Sequence, residues 1–160
     1  MKKLVIAVAL LFAAAFCAGA QNLSVLSKAA RAAYDFLSKE GYKPYIDEDD
    51  DVVFKAQGYS FYVDNTKSDD TYLQIVLPYL MEVDAEDLVQ FWSAMGACNE
   101  VTHNIKLVQA YIDDDGDVMF ATDTYLGNDG KMDEFIDASI TYMIRAIDSF
   151  NEYYKDFMED

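Results

Sequence analysis

The sequence is poor in the residues on which most chemistry depends. Its 160 residues include one histidine and two cysteines, and 12 lysines and arginines stand against 29 aspartates and glutamates, for a formal net charge of −17. So little basic charge excludes the phosphate-neutralising surface that nucleic acid needs and disfavours anionic membranes. An ordinary zinc site needs more histidine and cysteine, and the phosphate-loop and G-x-S-x-G or H-E-x-x-H motifs are missing. We therefore expect no nucleic-acid partner, no cofactor and no enzymatic activity.

The first twenty residues have the three parts of a secretory signal peptide. Met1–Lys3 is basic, Leu4–Phe16 is uncharged and apolar, and Ala18–Ala20 forms a small-residue cleavage site. The apolar run is too short to span a membrane comfortably. We predict a signal peptide over residues 1–20, one domain over 21–160, and an exported protein that is periplasmic or secreted and has no membrane contact in its mature form.

The two cysteines fall on either side of the predicted cleavage site. Lipid attachment at Cys17 would need a small residue before it, and Phe16 stands there, so we disfavour a lipoprotein. After cleavage only Cys98 remains, which leaves no intrachain disulfide. Stability must then come from a hydrophobic core, for which the 52% hydrophobic content is sufficient.

Apolar residues at intervals of three and four predict three helices. These cover Asn22–Glu40, a segment that starts at Asp84 as N-cap, and a long segment from about Lys131 to Phe157 after the break at residues 127–130. Helical spacing makes the apolar side of the second helix a core face. That side consists of Leu88, Phe91, Trp92, Met95 and Cys98.

The segments between the helices predict antiparallel strands. A two-residue turn at Gln57-Gly58 puts Phe54 opposite Phe61, and a third strand over Thr71–Leu80 bends or lies at an edge at Pro78. A second hairpin, with Asp115-Gly116 as its two turn residues, puts Ile112 opposite Met119. The predicted order is α-β-β-β-α-β-β-α, an α+β domain in which helices pack on an antiparallel sheet of about five strands.

This order, together with particular residues, resembles the YbjN family. The matching features are Asn99 near the end of the second helix, the strand and acidic turn Ala110–Asp117, the segment Phe36–Tyr42 and an aromatic-rich final helix. The family is labelled a bacterial sensory transduction regulator and shares the fold of type III secretion chaperones. The resemblance covers roughly residues 24–158 and implies a scaffold that binds other proteins and often pairs through a surface, without implying a reaction. The export signal departs from the better-known members.

The acidic turn offers the best metal candidates, Asp113, Asp115 and Asp117. An EF-hand loop would need a glutamate at a fixed distance beyond its glycine, and the residues after Gly116 are instead apolar and strand-like. We favour a hairpin turn over a calcium loop, with weak calcium binding as an alternative.

Cys98 and His103 are the only candidate nucleophile and base of cysteine–histidine type. No residue that would orient the histidine can be identified, and no glycine-rich oxyanion loop accompanies the pair. We favour a core role for Cys98 and a helix-end position for His103, and we keep a hydrolase as the least favoured function.

Twelve tyrosines are more than the core of so small a domain needs. Some of them are expected to form a surface that suits a protein partner or a sugar, although most tyrosines bury the ring and expose the hydroxyl. The leading hypothesis is an exported protein-binding, regulatory or chaperone-like domain that also pairs with itself, and the alternative is a calcium or small-ligand binder. The tyrosines proposed for the interaction surface are Tyr62, Tyr72, Tyr79, Tyr153 and Tyr154.

Overall fold

The computed structural model describes residues 22–66, 68–126 and 131–159. The predicted signal peptide and the predicted break at residues 127–130 therefore lie outside the described residues. Three α-helices and six strands follow a short 3-10 turn at Leu23–Val25. In chain order they are α1 (Lys28–Lys39), β1 (Tyr45–Ile46), β2 (Val52–Ala56), β3 (Tyr59–Val63), β4 (Tyr72–Leu77), α2 (Leu88–Asn104), β5 (Gln109–Ile112), β6 (Val118–Tyr125) and α3 (Met132–Glu159).

All six strands form one antiparallel sheet in the order β1-β2-β3-β4-β6-β5. The α+β class is confirmed, and the sheet has one strand more than the five expected. The addition is β1, whose two residues Tyr45 and Ile46 pair with the start of β2. A strand of two residues has too little alternation to be recognised in a sequence.

The two hairpins differ in how well the sequence predicts them. In the first, Phe54 pairs with Phe61 as predicted, and both turn residues, Gln57 and Gly58, have positive φ, as a type I′ turn requires. In the second, the predicted register is wrong by one residue, because Ile112 pairs with Val118 rather than with Met119. Only Gly116 has positive φ there, and Asp113 and Asp117 close a three-residue loop.

Strand β4 ends just before Pro78, where the sequence predicts a bend or an edge position, and the strand lies inside the sheet between β3 and β6. Tyr79 takes a positive φ of 56°, and the chain then resumes pairing with the start of β6, through a bridge between Glu82 and Asp117. The Val83 N–H also donates to the Gly116 carbonyl at 2.8 Å. The segment after the bend is therefore fixed against the β5–β6 turn.

Helix boundaries follow local capping groups. Helix α1 starts later than predicted, because the Ser27 side chain accepts a hydrogen bond from the Ala30 N–H, and it ends before Gly41 (φ +89°) as predicted. The N-cap of α2 is Asp87 rather than Asp84, and its carboxylate accepts from two backbone N–H groups of the first turn. Helix α3 covers nearly the predicted range.

The main core lies between the helices and one face of the sheet. The inward side chains of the central strands include Phe54, Phe61, Leu73, Ile75 and Phe120, and α3 contributes Ile136, Met143 and Phe150. On the opposite face a small cluster of Val76, Met119 and Ala121 packs with Tyr62. None of the described helices is both long and apolar enough to cross a lipid bilayer.

Candidate protein-interaction site

The outer side of α2 exposes four large apolar side chains, which we call the α2 strip. Leu88, Val89, Trp92 and Met95 are 64%, 60%, 64% and 42% exposed. Residues three and four apart share one side of a helix, so the four form a continuous apolar surface. Exposed apolar surface of this kind is typical of a protein-interaction site.

The prediction that Trp92 belongs to the core is wrong, as it is for Leu88 and Met95. A second stripe on α2 points inward instead, and Gly96 allows its close packing: a Cβ added there would lie 3.0 Å from the Phe157 ring. Small side chains let the helix approach its neighbours closely, which leaves the large ones on the outside. The inward stripe consists of Ser93, Ala94, Ala97, Cys98 and Val101.

A groove of about 530 Å³ runs beside the strip, between α2 and strand β5, and we call it the apolar groove. The Thr102 hydroxyl fixes its width, because it accepts from the Ala110 N–H at 2.9 Å and donates to the Ala110 carbonyl at 3.3 Å. The groove is lined by Phe91, Met95, Cys98, Asn99, Thr102, Ala110, Tyr111, Ile112 and Asp113.

An acidic pocket of about 730 Å³ adjoins the apolar groove. Phe91, Ile112 and Asp113 line both cavities, so the two lie side by side. The Gln90 side chain accepts the Asp84 N–H at 2.8 Å and holds the wall that leads into α2. The carboxylates that line the pocket belong to Glu82, Asp84, Asp113, Asp114 and Asp115.

The metal candidates are placed at the turn that closes this pocket. Asp113 Oδ1 accepts from the N–H groups of Asp115 and Asp117 at 3.0 and 2.9 Å, so it supports the turn. Desolvation and the charges of Asp113, Glu82 and Asp115 raise the pKa of Asp117. Within the described residues, no three acidic, histidine or cysteine side chains are grouped so that they could hold a metal ion. Calcium binding at Asp113, Asp115 and Asp117 stays a prediction.

The five predicted surface tyrosines separate into two groups. Tyr62, Tyr72 and Tyr79 lie on the sheet side away from the helices, where Tyr79 is 74% exposed and burial raises the pKa of Tyr62. Tyr153 and Tyr154 are half-buried on α3. The Tyr153 hydroxyl accepts from the Asn104 amide at 3.3 Å, and the Tyr154 ring stacks on Phe150 with centroids 5.9 Å apart. The five do not form one surface.

The environment of Cys98 disfavours its predicted alternative role as a nucleophile paired with His103. Cys98 is buried, and burial raises the pKa of its thiol to about 12, whereas a nucleophilic cysteine needs a lowered pKa. His103 is exposed near the end of α2. The expected core role of Cys98 and helix-end position of His103 are both observed.

Sequence reasoning missed the α2 strip, although a signal for it was present. Helix α2 carries two stripes at helical spacing, one of large residues through Trp92 and one of small residues through Ala97. Either stripe satisfies the helical periodicity, and periodicity alone does not say which faces the core. The signal in the sequence was Gly96, because a helix residue without a side chain permits the close approach to α3 that is observed here.

The chain is similar to solved structures. A crystal structure of an uncharacterized protein from Methanothermobacter thermautotrophicus is similar at 13% identity and a TM-score of 0.53, over 80% of this chain and 97% of the other. The crystal structure of YbjN from E. coli, described as a putative transcription regulator, matches at 12% identity and a TM-score of 0.46, over 80% and 87%. No curated protein matches the chain.

The model of one protein family covers most of the described domain. It is YbjN, described as "Putative bacterial sensory transduction regulator", and it matches residues 34–154. This range contains the α2 strip, the apolar groove and the acidic pocket. The chain belongs to the YbjN family.

Proposed function

We propose that this protein is an exported, non-enzymatic regulatory domain that binds another protein through the α2 strip. The observation that carries the proposal is that Leu88, Val89 and Trp92 are all strongly exposed on one side of α2. Burying these side chains on a partner would remove apolar surface from water, and a tryptophan at the centre of such a patch is a common binding hot spot.

Three further observations support parts of the proposal. The raised pKa of the Cys98 thiol leaves very little thiolate near neutral pH, which argues against cysteine-based hydrolysis. The basic, apolar and small-residue segments of residues 1–20 support export. The family description as a regulator is consistent with binding rather than catalysis.

The proposal is tested by placing a photo-crosslinking amino acid at position 92 and, as the control, at position 79. Both positions carry a strongly exposed aromatic residue, but Tyr79 lies at the sheet side away from the helices. We expect crosslinking from position 92 to an extract of the exported proteins, and at least ~30-fold weaker retention of the same partner by Trp92→Ser, as for hot-spot residues. Tyr79→Ser should retain the partner.

Two results would decide against the α2 strip, and a third would change its partner. Crosslinks from position 79 alone would move the interaction to the tyrosines of the sheet face. Unchanged retention by Trp92→Ser would separate binding from the strip. A crosslink from position 92 to a second copy, with a dimer in light scattering, would make self-pairing the use of the surface.

A further inference from the structure

The apolar groove and the acidic pocket form one path along α2. Phe91 and Ile112 line both, so a bound segment that leaves the groove toward the start of α2 would reach the adjacent pocket. The path therefore changes from apolar to acidic along its length. Its outer border is the α2 strip, which adds Trp92 and Leu88 to the accessible apolar surface.

No ion pair among the described residues neutralises the carboxylates of the pocket. Among the described residues, the ion pairs link Lys28 to Asp70, Arg31 to Asp35, Lys39 to Glu40, Lys131 to Glu134 and Lys155 to Glu159, and none involves a pocket carboxylate. Two of the lining residues, Asp114 and Asp115, are exposed at the tip of the β5–β6 turn. Their negative potential is available to an incoming cation.

The same charges oppose a second copy of this chain as the occupant. Each copy has a formal charge of −17, and Asp84, Glu86 and Asp87 border the strip at the start of α2. Two copies with this net charge repel each other on approach, which disfavours a two-fold contact through the strip. A positively charged occupant would meet an attractive potential in the same place.

We propose that this path binds a basic amphipathic segment of a partner protein, with apolar side chains on the α2 strip and in the apolar groove and lysine or arginine side chains in the acidic pocket. This inference rests on the proposed function, because it names the chemistry of the partner at the same surface. The juxtaposition that supports it is an uncovered apolar helix side beside an apolar groove, which in turn adjoins a pocket lined by five carboxylates. Long basic side chains suit such a border, since their stems cover apolar surface while their heads reach the charge.

The test uses a tryptophan-free synthetic peptide of leucine, lysine and alanine, about 18 residues or roughly five helical turns long. Its leucines occupy one side of the helix and its lysines flank that side. Control peptides replace every lysine with glutamate or every leucine with serine. The emission of Trp92, the only tryptophan, reports binding at the strip directly.

We expect the lysine peptide to shift the Trp92 emission and both control peptides to have no effect at the same concentration. The double variant Asp114→Asn/Asp115→Asn should weaken binding on the order of fivefold at low salt, with less loss at high salt, as for exposed ion pairs. The matched control is Asp133→Asn/Asp137→Asn, which removes two exposed carboxylates from α3 and should leave affinity unchanged.

Equal binding of the lysine and glutamate peptides, or no binding of either, would overturn the inference. So would unchanged affinity in Asp114→Asn/Asp115→Asn. Neither result would contradict the proposed function, which is decided separately by the crosslinks from positions 92 and 79 and by the retention of the partner by Trp92→Ser. Light scattering that shows a dimer with Trp92 protected from an aqueous quencher would also overturn the inference, since a second copy would then occupy the path.

Discussion

Asp51 is expected to lower the stability of the domain at neutral pH. Its half-buried Oδ1 accepts a hydrogen bond from the Asn65 N–H at 2.8 Å. The Asn65 side-chain amide in turn holds the segment before α1, because it accepts from the Ser27 N–H at 2.8 Å and donates to the Val25 carbonyl at 3.1 Å. Asp51 therefore anchors the junction between α1 and the sheet. Desolvation raises the pKa of this carboxyl from 3.8 to about 6, against the opposing hydrogen bond from Asn65.

The sign of the effect follows from the direction of the pKa shift. Because the folded state holds the Asp51 proton more tightly than the unfolded chain, its contribution is most favourable below about pH 4 and is lost as pH rises through about 6. A shift of this size corresponds to ~3 kcal/mol for a fully buried group. Solvent screening of a half-buried carboxylate reduces the expected cost to ~1 kcal/mol at pH 7.5.

The substitution Asp51→Asn removes the charge and keeps an oxygen that can accept the Asn65 N–H. We expect it to raise the free energy of unfolding by ~1 kcal/mol at pH 7.5 and to change it little at pH 4. Urea unfolding followed by far-ultraviolet circular dichroism measures both values. The control Asp156→Asn removes one negative charge from an exposed site on α3. Its change in unfolding free energy measures the effect of lowering the net charge alone, and is subtracted from that of Asp51→Asn.

Two outcomes of the unfolding experiments would refute this account of Asp51. If Asp51→Asn destabilises the protein at pH 7.5 relative to the control, the charged hydrogen bond to Asn65 outweighs desolvation and the reasoning is wrong. A gain that is the same at pH 4 and pH 7.5 would also refute it, because a titrating group must give a difference that depends on pH.

Three further predictions concern single sites. Gly116→Ala should cost ~2 kcal/mol of unfolding free energy in urea, because its φ is +92° and the new Cβ would lie 2.9 Å from the Val83 carbonyl oxygen. Gly41→Ala shares the positive φ without a neighbour within 4 Å, so an equal cost there would disprove the clash. Thr122→Val should leave stability equal or raise it by up to ~1 kcal/mol, because the buried Thr122 hydroxyl has no partner among the described residues, and a loss in the same assay would contradict this. In a variant lacking Cys17, Cys98 should react with a thiol reagent at pH 8 only after unfolding in urea, and rapid labelling of the native protein would show that its thiol is accessible.

The sheet could be predicted in outline because its strands alternate apolar and polar residues and because its first turn has a recognisable two-residue sequence. Gln57-Gly58 lies between apolar residues whose pairing, Phe54 with Phe61, fits only one register. At the second turn, the Asp-Gly dipeptide also occurs in three-residue loops, where glycine alone takes positive φ, and the register changes by one residue. The sequence around Gly116 is compatible with both loops.

The candidate site was less predictable than the fold. The acidic turn was recognised, but its position beside an apolar groove depends on the bend at Pro78 and on the contact between Val83 and Gly116. Those contacts join residues far apart in sequence. The Trp92 side chain faces solvent because α2 approaches α3 closely on another side. That approach is a property of tertiary packing, and the periodicity of one helix does not reveal it.

The hydrogen bonds between Thr102 and Ala110 limit how partners can be recruited. Ala110 belongs to β5, the last strand of the sheet, and its outward N–H and carbonyl groups are both used by one hydroxyl. The strand at the other edge, Tyr45–Ile46, is only two residues long. Neither edge offers a long row of free backbone groups onto which a foreign strand could be added, so recruitment by strand addition is disfavoured at both ends. Partner recognition is then expected to depend on side chains. For the same reason, aggregation of the domain through edge-to-edge pairing of its sheets is disfavoured at high concentration.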